Sequence, residues 1–252
     1  MADALRLYDA MTTHAGSVRA ANEDSAIALP QAGFWVVADG MGGHANGKLA
    51  SQTIVDHVAQ VVWPDSFEDA CTAAAAALHA ANAAVFAEAE TRGQQMGSTV
   101  VSLLVRGRQF AVLWAGDSRA YLYREGRLHH LSTDHTQVQE MLDRGLLTPE
   151  QAAGHPMGHV LARAVGVRPT LELDAISDVA RPGDTFLLCS DGLHGVLDDG
   201  EITTVLAVDG RAATEVLVSW CLERGAPDNV SVIVVSAHEP TALSFVPTAD
   251  AS

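Results

Sequence analysis

Four strand-length apolar runs in this chain meet an aspartate at one end. Phe34-Trp35-Val36-Val37-Ala38 leads into Asp39, Phe110 to Gly116 into Asp117, and Phe186 to Ser190 into Asp191, while Asp228-Asn229 precedes Val230 to Val235. Short, continuous apolar runs of this kind read as strands buried on both faces. A buried sheet that carries an aspartate at each of these ends gathers negative charge at its rim, and that charge repels itself unless a counter-ion is bound. A hard divalent cation with oxygen ligands, Mg²⁺ or Mn²⁺, is the counter-ion such a rim fits.

The connections between the runs set the fold class. Arg106-Gly107-Arg108 joins strands at Gly97–Val105 and Gln109–Ala115, and Glu125-Gly126 joins Arg119–Tyr123 to Leu128–Leu131. Residues 1–40 read as a further hairpin region, with strands over Leu5–Thr13, Asp24–Leu29 and Gly33–Ala38. Hairpins in succession mean antiparallel sheet rather than the parallel sheet of βαβ folds. Helical patterns cover Leu49–Val62, the Ala-rich Ser66–Glu90, and Ala212–Glu223. Further strands are expected at Leu171–Ile176, Thr185–Cys189 and Val230–Val235. Between them, residues 135–160 hold short helical pieces broken by Gly145, Pro149, Gly154 and Pro156, which reads as a mobile flap over the sheet edge. No linker divides the chain, so residues 1–238 read as a single domain and 239–252 as a flexible tail.

Composition narrows the partners. The chain has 252 residues, 48% apolar, with 15 Lys and Arg against 31 Asp and Glu, a formal charge of −16. Such a surface argues against nonspecific nucleic-acid binding and against anionic membranes. No apolar stretch is read as approaching the ~20 residues of a membrane helix. The N-terminus lacks the basic and apolar regions of a signal peptide. Cys71, Cys189 and Cys221 make no metal-ligand spacing and read as reduced core residues, consistent with a cytoplasmic protein.

Eight short motifs then fall in one order. They are Gly16 to Ser25, Asp39-Gly40-Met41-Gly42-Gly43-His44, Gly97-Ser98-Thr99, Ala115-Gly116-Asp117-Ser118-Arg119, Thr133-Asp134-His135, Leu161 to Gly166, Ser190-Asp191-Gly192 and Asp228-Asn229-Val230. Together they span some 215 residues, and in this order the chain resembles the metal-dependent serine/threonine protein phosphatases of type 2C, in their compact bacterial form.

The resemblance implies an α+β fold, a four-layer αββα sandwich of two packed antiparallel sheets flanked by helices, with residues 135–160 as a flap beside the active site. It implies hydrolysis of phosphoserine or phosphothreonine in proteins by a hydroxide bridging two Mg²⁺ or Mn²⁺ ions, without a phosphoenzyme. Asp39 would bridge the two ions, the carbonyl of Gly40 would add a ligand to one, and Asp191 and Asp228 would complete the other. Asp117, with Asp191, would hold a third and weaker ion. Glu23 and Asp24 would act from behind the ligands, hydrogen-bonding metal-bound waters. The guanidinium fork of Arg19 would clamp the substrate phosphate. Partners would be phosphorylated proteins and an opposing Ser/Thr kinase in signalling, and the protein would be a monomer. Where animal members carry a histidine after Asp-Gly, this chain has Met41. That leaves metal-bound water first and His44 second as the acid for the leaving group. Lys48, where relatives often carry an acidic residue, is expected to touch surface charge only.

Competing patterns are weaker. Asp199-Gly200 and Asp209-Gly210 read as turn dipeptides. His155 and His159 have a zinc-compatible helical spacing, but Pro156 and Gly158 break the helix it needs. Gly42 to Lys48 fits the phosphate-loop pattern, yet Leu49 stands where such a loop needs Ser or Thr for Mg²⁺. None of the three cysteines has an arginine six residues on, so the cradle of a thiol phosphatase is missing. The alternative from another class is a phosphatase-like module that binds phosphoprotein without turnover, a kind of domain that commonly loses metal carboxylates; here they are all present.

Overall fold

The computed structural model describes residues 5–43, 45–152, 154–208 and 212–240. His44, the Asp209-Gly210 dipeptide and residues 241–252 of the expected tail lie outside these. In chain order the strands are β1 Arg6–His14, β2 Ser25–Leu29, β3 Phe34–Ala38, β4 Gly40–Met41, β5 Gly97–Ser98, β6 Val100–Arg106, β7 Gln109–Ala115, β8 Arg119–Arg124, β9 Arg127–His130, β10 Asp174–Val179, β11 Thr185–Cys189 and β12 Val230–His238. The helices are α1 Ala45–Ala59, α2 Phe67–Arg92, α3 Gln137–Asp143, α4 Pro149–Ala152, α5 Asp191–His194, α6 Asp199–Leu206 and α7 Ala213–Glu223.

Two five-stranded antiparallel sheets, ordered β1-β12-β11-β8-β9 and β10-β7-β6-β3-β2, pack face to face. The layer between them is filled by Trp35, Val37, Leu103, Phe110, Phe186 and Ile233, all at most 1% exposed. Ala50, Ile54, Leu78 and Ala81 of α1 and α2 cover the outer face of the second sheet. Leu193, Ile202, Leu217 and Cys221 of α5 to α7 cover the first. Three buried clusters between four layers make the αββα sandwich that the resemblance implies. Glu125 and Gly126, both with positive φ (52° and 77°), form the tight turn that joins β8 to β9. This geometry matches the twist of the paired strands.

Several expectations are corrected. β1 is not part of an N-terminal hairpin: it pairs along its whole length with β12, Arg6 against His238 through His14 against Val230. Only β2 and β3 form a hairpin there. The strand expected at Leu171–Ile176 lies three residues later, because Leu171 and Leu173 turn into the core under α2 and the ladder with β7 starts at Asp174. Asp199-Gly200 is not a turn but the opening of α6. Asp198 caps that helix, and its side chain and that of Glu201 each accept the other's backbone N–H. α2 is, by length and composition, long and apolar enough to cross a membrane, contrary to the reading above. Its apolarity comes from small alanines, and Ala70, Ala74, Leu78, Ala81 and Val85 lie against the second sheet. Ser66 caps its start and Gly93, in the left-handed region, ends it.

Topology alone brings the aspartates together. β3 and β7 both run antiparallel to β6, so they point the same way and their ends release Asp39 and Asp117 at one rim. In the other sheet β11 and β12 are antiparallel neighbours, so the end of one and the start of the other, with Asp191 and Asp228, share a rim as well. The face-to-face packing lays the two rims side by side.

Candidate active site

The joint rim opens into a cleft of about 380 Å³, where Arg19, Glu23, Asp39, Gly40, Asp117, Asp191 and Asp228 all contribute to the wall. Asp24 stands behind that wall, 1% exposed, with its carboxylate accepting from the Ser190 hydroxyl at 2.9 Å. Seven of the eight residues singled out in the sequence therefore line one cleft, and the eighth supports it.

Each carboxylate is fixed through its backbone. The Asp39 N–H donates to the Thr99 hydroxyl (3.0 Å) and its carbonyl accepts from the Thr99 N–H (2.8 Å), while Thr99 Oγ1 meets Ser118 Oγ at 2.6 Å. Asp117 is held from below by half-buried His194, whose Nε2 donates to the Asp117 carbonyl at 2.9 Å. Asp191 opens α5, and Gly192 beside it lies so close to β12 that a Cβ there would run into the Asn229 carbonyl. Gly40 packs in the same way against the backbone of Gly47 in α1, so a side chain at either residue would separate the loop from the helix. Lys48, expected at the surface, donates instead to the Asp24 carbonyl (2.7 Å) and to Ser25 Oγ (3.0 Å), tying α1 to the loop before β2.

Electrostatically the cleft is strained. Burial, then the charges of Asp24, Asp191, Asp117 and Asp228, push Asp39 far above the usual carboxylate range. Burial, with Asp191 and Asp134 nearby, raises Asp117 to about 7. Burial raises Asp24 to about 6, against hydrogen bonds from Ser231 and Ser190. Asp191 is raised by burial and by Asp228. Asp24 Oδ1 and Asp191 Oδ1 are buried with no hydrogen-bond partner. Among the described residues no three His, Cys, Asp or Glu side chains are drawn into a closed ligand set, yet Asp24 and Asp191 both come within hydrogen-bonding reach of the Asp39 carboxylate. Orphaned acceptor oxygens and mutually repelling carboxylates are what a hard divalent cation satisfies, so the donor set fits Mg²⁺ or Mn²⁺.

The pattern of the family described as protein phosphatase 2C matches residues 17–214. The chain belongs to the protein phosphatase 2C family. Serine/threonine protein phosphatase PstP of Mycobacterium tuberculosis is 39% identical over 225 residues, covering 87% of this chain and 43% of its own length. The chain thus spans less than half of that relative. Among solved structures, PppA, a key regulatory component of T6SS in Pseudomonas aeruginosa, superposes with a TM-score of 0.86 at 45% identity, covering 92% of this chain and 97% of its own. The catalytic domain of PstP in complex with two manganese ions superposes at 0.83 with 36% identity, covering 93% and 99%.

Three residues of this protein phosphatase 2C cleft were given no place in it by the sequence reading. His159 and Leu161, at the end of the 135–160 excursion, line it. That excursion is closed at its base, where Thr136 bridges to Leu161 and the Gln137 N–H donates to the Val160 carbonyl at 2.8 Å. Asn229 is the third. Its Nδ2 donates to the carbonyls of Ala15 (2.9 Å) and Ala21 (3.0 Å) and its Oδ1 accepts from the Glu23 N–H (2.8 Å). Buried beside Asp228, it staples the loop that carries Arg19 and Glu23. Replacing it by alanine orphans three backbone groups, which should cost about 2–3 kcal/mol in denaturant unfolding and lower turnover as the loop loosens. An unchanged unfolding midpoint would show that the loop is held by other contacts.

Proposed function

We propose that the chain is a Mg²⁺- or Mn²⁺-dependent protein phosphatase that hydrolyses phosphoserine and phosphothreonine in proteins. The observation that carries this reading is the convergence of Asp39, Asp117, Asp191 and Asp228 with Arg19 on one cleft in a member of this family. Asp39 would be the ligand shared by two ions, with the Gly40 carbonyl, Asp191 and Asp228 as the other protein groups that would hold them. Asp117, with Asp191, offers a further position for a weaker ion. When bound, the cations supply positive charge at the phosphate and lower the pKa of water so that hydroxide is available at neutral pH.

The remaining work falls to the chain itself. One guanidinium nitrogen of Arg19 donates to Asp228 at 2.6 Å, and the side chain is 58% exposed at the mouth of the cleft. This pairing aims the fork across the cleft and leaves it accessible to two phosphate oxygens. Glu23 faces the cleft from the loop stapled by Asn229, and Asp24 supports it from behind. Met41 lines the cleft and has no titratable proton, so it does not serve as the acid for the leaving oxygen, and water is the first candidate for that role. Residues 1–238 act as one catalytic unit with the 135–160 segment as its flap. An acidic surface and three free cysteines suit a cytoplasmic monomer opposing a Ser/Thr kinase.

The test is hydrolysis of a phosphothreonine peptide with Mn²⁺ and with excess EDTA. Activity confined to the metal-loaded protein supports the reading; metal binding without turnover favours a phosphoprotein-binding module. Arg19→Ala should raise KM about tenfold or more with kcat little changed, since it removes a clamp on the phosphate rather than the nucleophile. A fall in kcat alone would mean that Arg19 acts on the transition state.

A further inference from the structure

A second groove, of about 340 Å³, opens beside the catalytic cleft and shares Met41 and Gly42 with it. Its lining is mostly apolar, with Glu90, Gln94 and Gln95 as the polar exceptions. Met96 is 3% exposed beneath it, Phe86 of α2 is half-buried along one side, and Val167, 51% exposed, stands on the other. Met41 and Val167 meet over Gly97, which has no side chain to part them. Gly42, shared by groove and cleft, and Gly43, which lines the cleft, carry no side chain, and their positive φ (127° and 81°) favours glycine at both positions. Glu90 and Gln95 lie at the groove's margin.

A peptide whose phosphorylated residue sits in the cleft has to leave it in some direction. Cleft and groove meet at Met41 and the side-chain-free Gly42, and beyond them lies a largely apolar recess. We infer that this groove is a substrate subsite that takes an apolar side chain, Leu, Met or Phe, a few residues from the phosphoserine or phosphothreonine. The inference rests on the phosphatase reading and adds to it a sequence preference. Burying a leucine in place of an alanine favours the complex through apolar area. An aspartate there would meet Glu90 and an apolar wall, and is rejected.

The experiment compares kcat/KM for phosphothreonine peptides in which each flanking position is in turn Leu, Ala or Asp. Para-nitrophenyl phosphate, too small to reach the groove, serves as the reference substrate. At one position Leu should exceed Ala by about tenfold and Asp should be the poorest, the size of discrimination an apolar pocket supplies. Val167→Asp and Phe86→Ser, on different elements, should each remove most of that preference while turnover of the small substrate stays within about twofold. A flat peptide series with full activity on the small substrate overturns the subsite and leaves the phosphatase reading intact. A preference that survives both substitutions overturns it as well, by placing selectivity elsewhere. No metal-dependent turnover of the small substrate brings down both readings.

Discussion

Asp39→Asn should reduce phosphopeptide turnover by on the order of 10³-fold or more, with the fold intact. Asp39 sits where the ends of β3 and β7 meet the ends of β11 and β12, and after burial the charges of Asp24, Asp191, Asp117 and Asp228 raise its pKa. It is the position from which one carboxylate reaches both halves of the rim. The amide keeps the shape and removes the charge, so under the proposed assignment a cation pair would lose the ligand it shares. The same change should stabilise the protein in chelator, because it removes one of several like charges buried together. Loss of activity with a gain in metal-free stability is the signature of a functional charge cluster. Wild-type turnover in the Asn variant would sink the metal assignment. Equal loss of activity and of stability would place Asp39 among ordinary folding determinants.

The rim was legible because its signals are local. An apolar run followed by Asp marks both the strand and its end, and the bounds expected for β11 coincide with those in the structure. What was not legible depends on partners far away in the chain. β1 pairs with residues more than 200 positions distant, and nothing in Arg6–His14 distinguishes that from a hairpin with β2. Asn229 stands in a recognised motif, yet its work lies in carbonyls at Ala15 and Ala21, which carry no side-chain signature. Lys48 looked like a surface charge because its acceptors are a main-chain carbonyl and a serine hydroxyl. α6 was hidden for a different reason. Asp-Gly favours a turn on its own, but Asp198 and Glu201 around it form a capping box, a pattern visible in the sequence to a reader who weighs the neighbours before the dipeptide.

The unrelieved charge of the cleft predicts how the chelated protein responds to pH. Asp39, far above the usual carboxylate range, and Asp117, at about 7, bind protons in the folded state that the unfolded chain has already released. Where the native state holds more protons, stability falls as pH rises. Two histidines act in the opposite sense. His194, held by burial at about 4, and His135, also lowered by burial, favour the folded state as pH rises, but that gain ends at the ordinary imidazole value. Between pH 6.5 and 8 the carboxylates therefore dominate. In EDTA the melting temperature should drop across that interval. Asp39→Asn should flatten most of the slope, since it deletes the most strongly raised group. Mn²⁺ should reverse the loss, and its stabilising shift should grow from pH 6.5 to 8 because ligand carboxylates must be deprotonated to bind. A flat profile in EDTA, or a slope undiminished in the Asn variant, would mean that these carboxylates are not buried against one another and that a cation is not what the rim is built to hold.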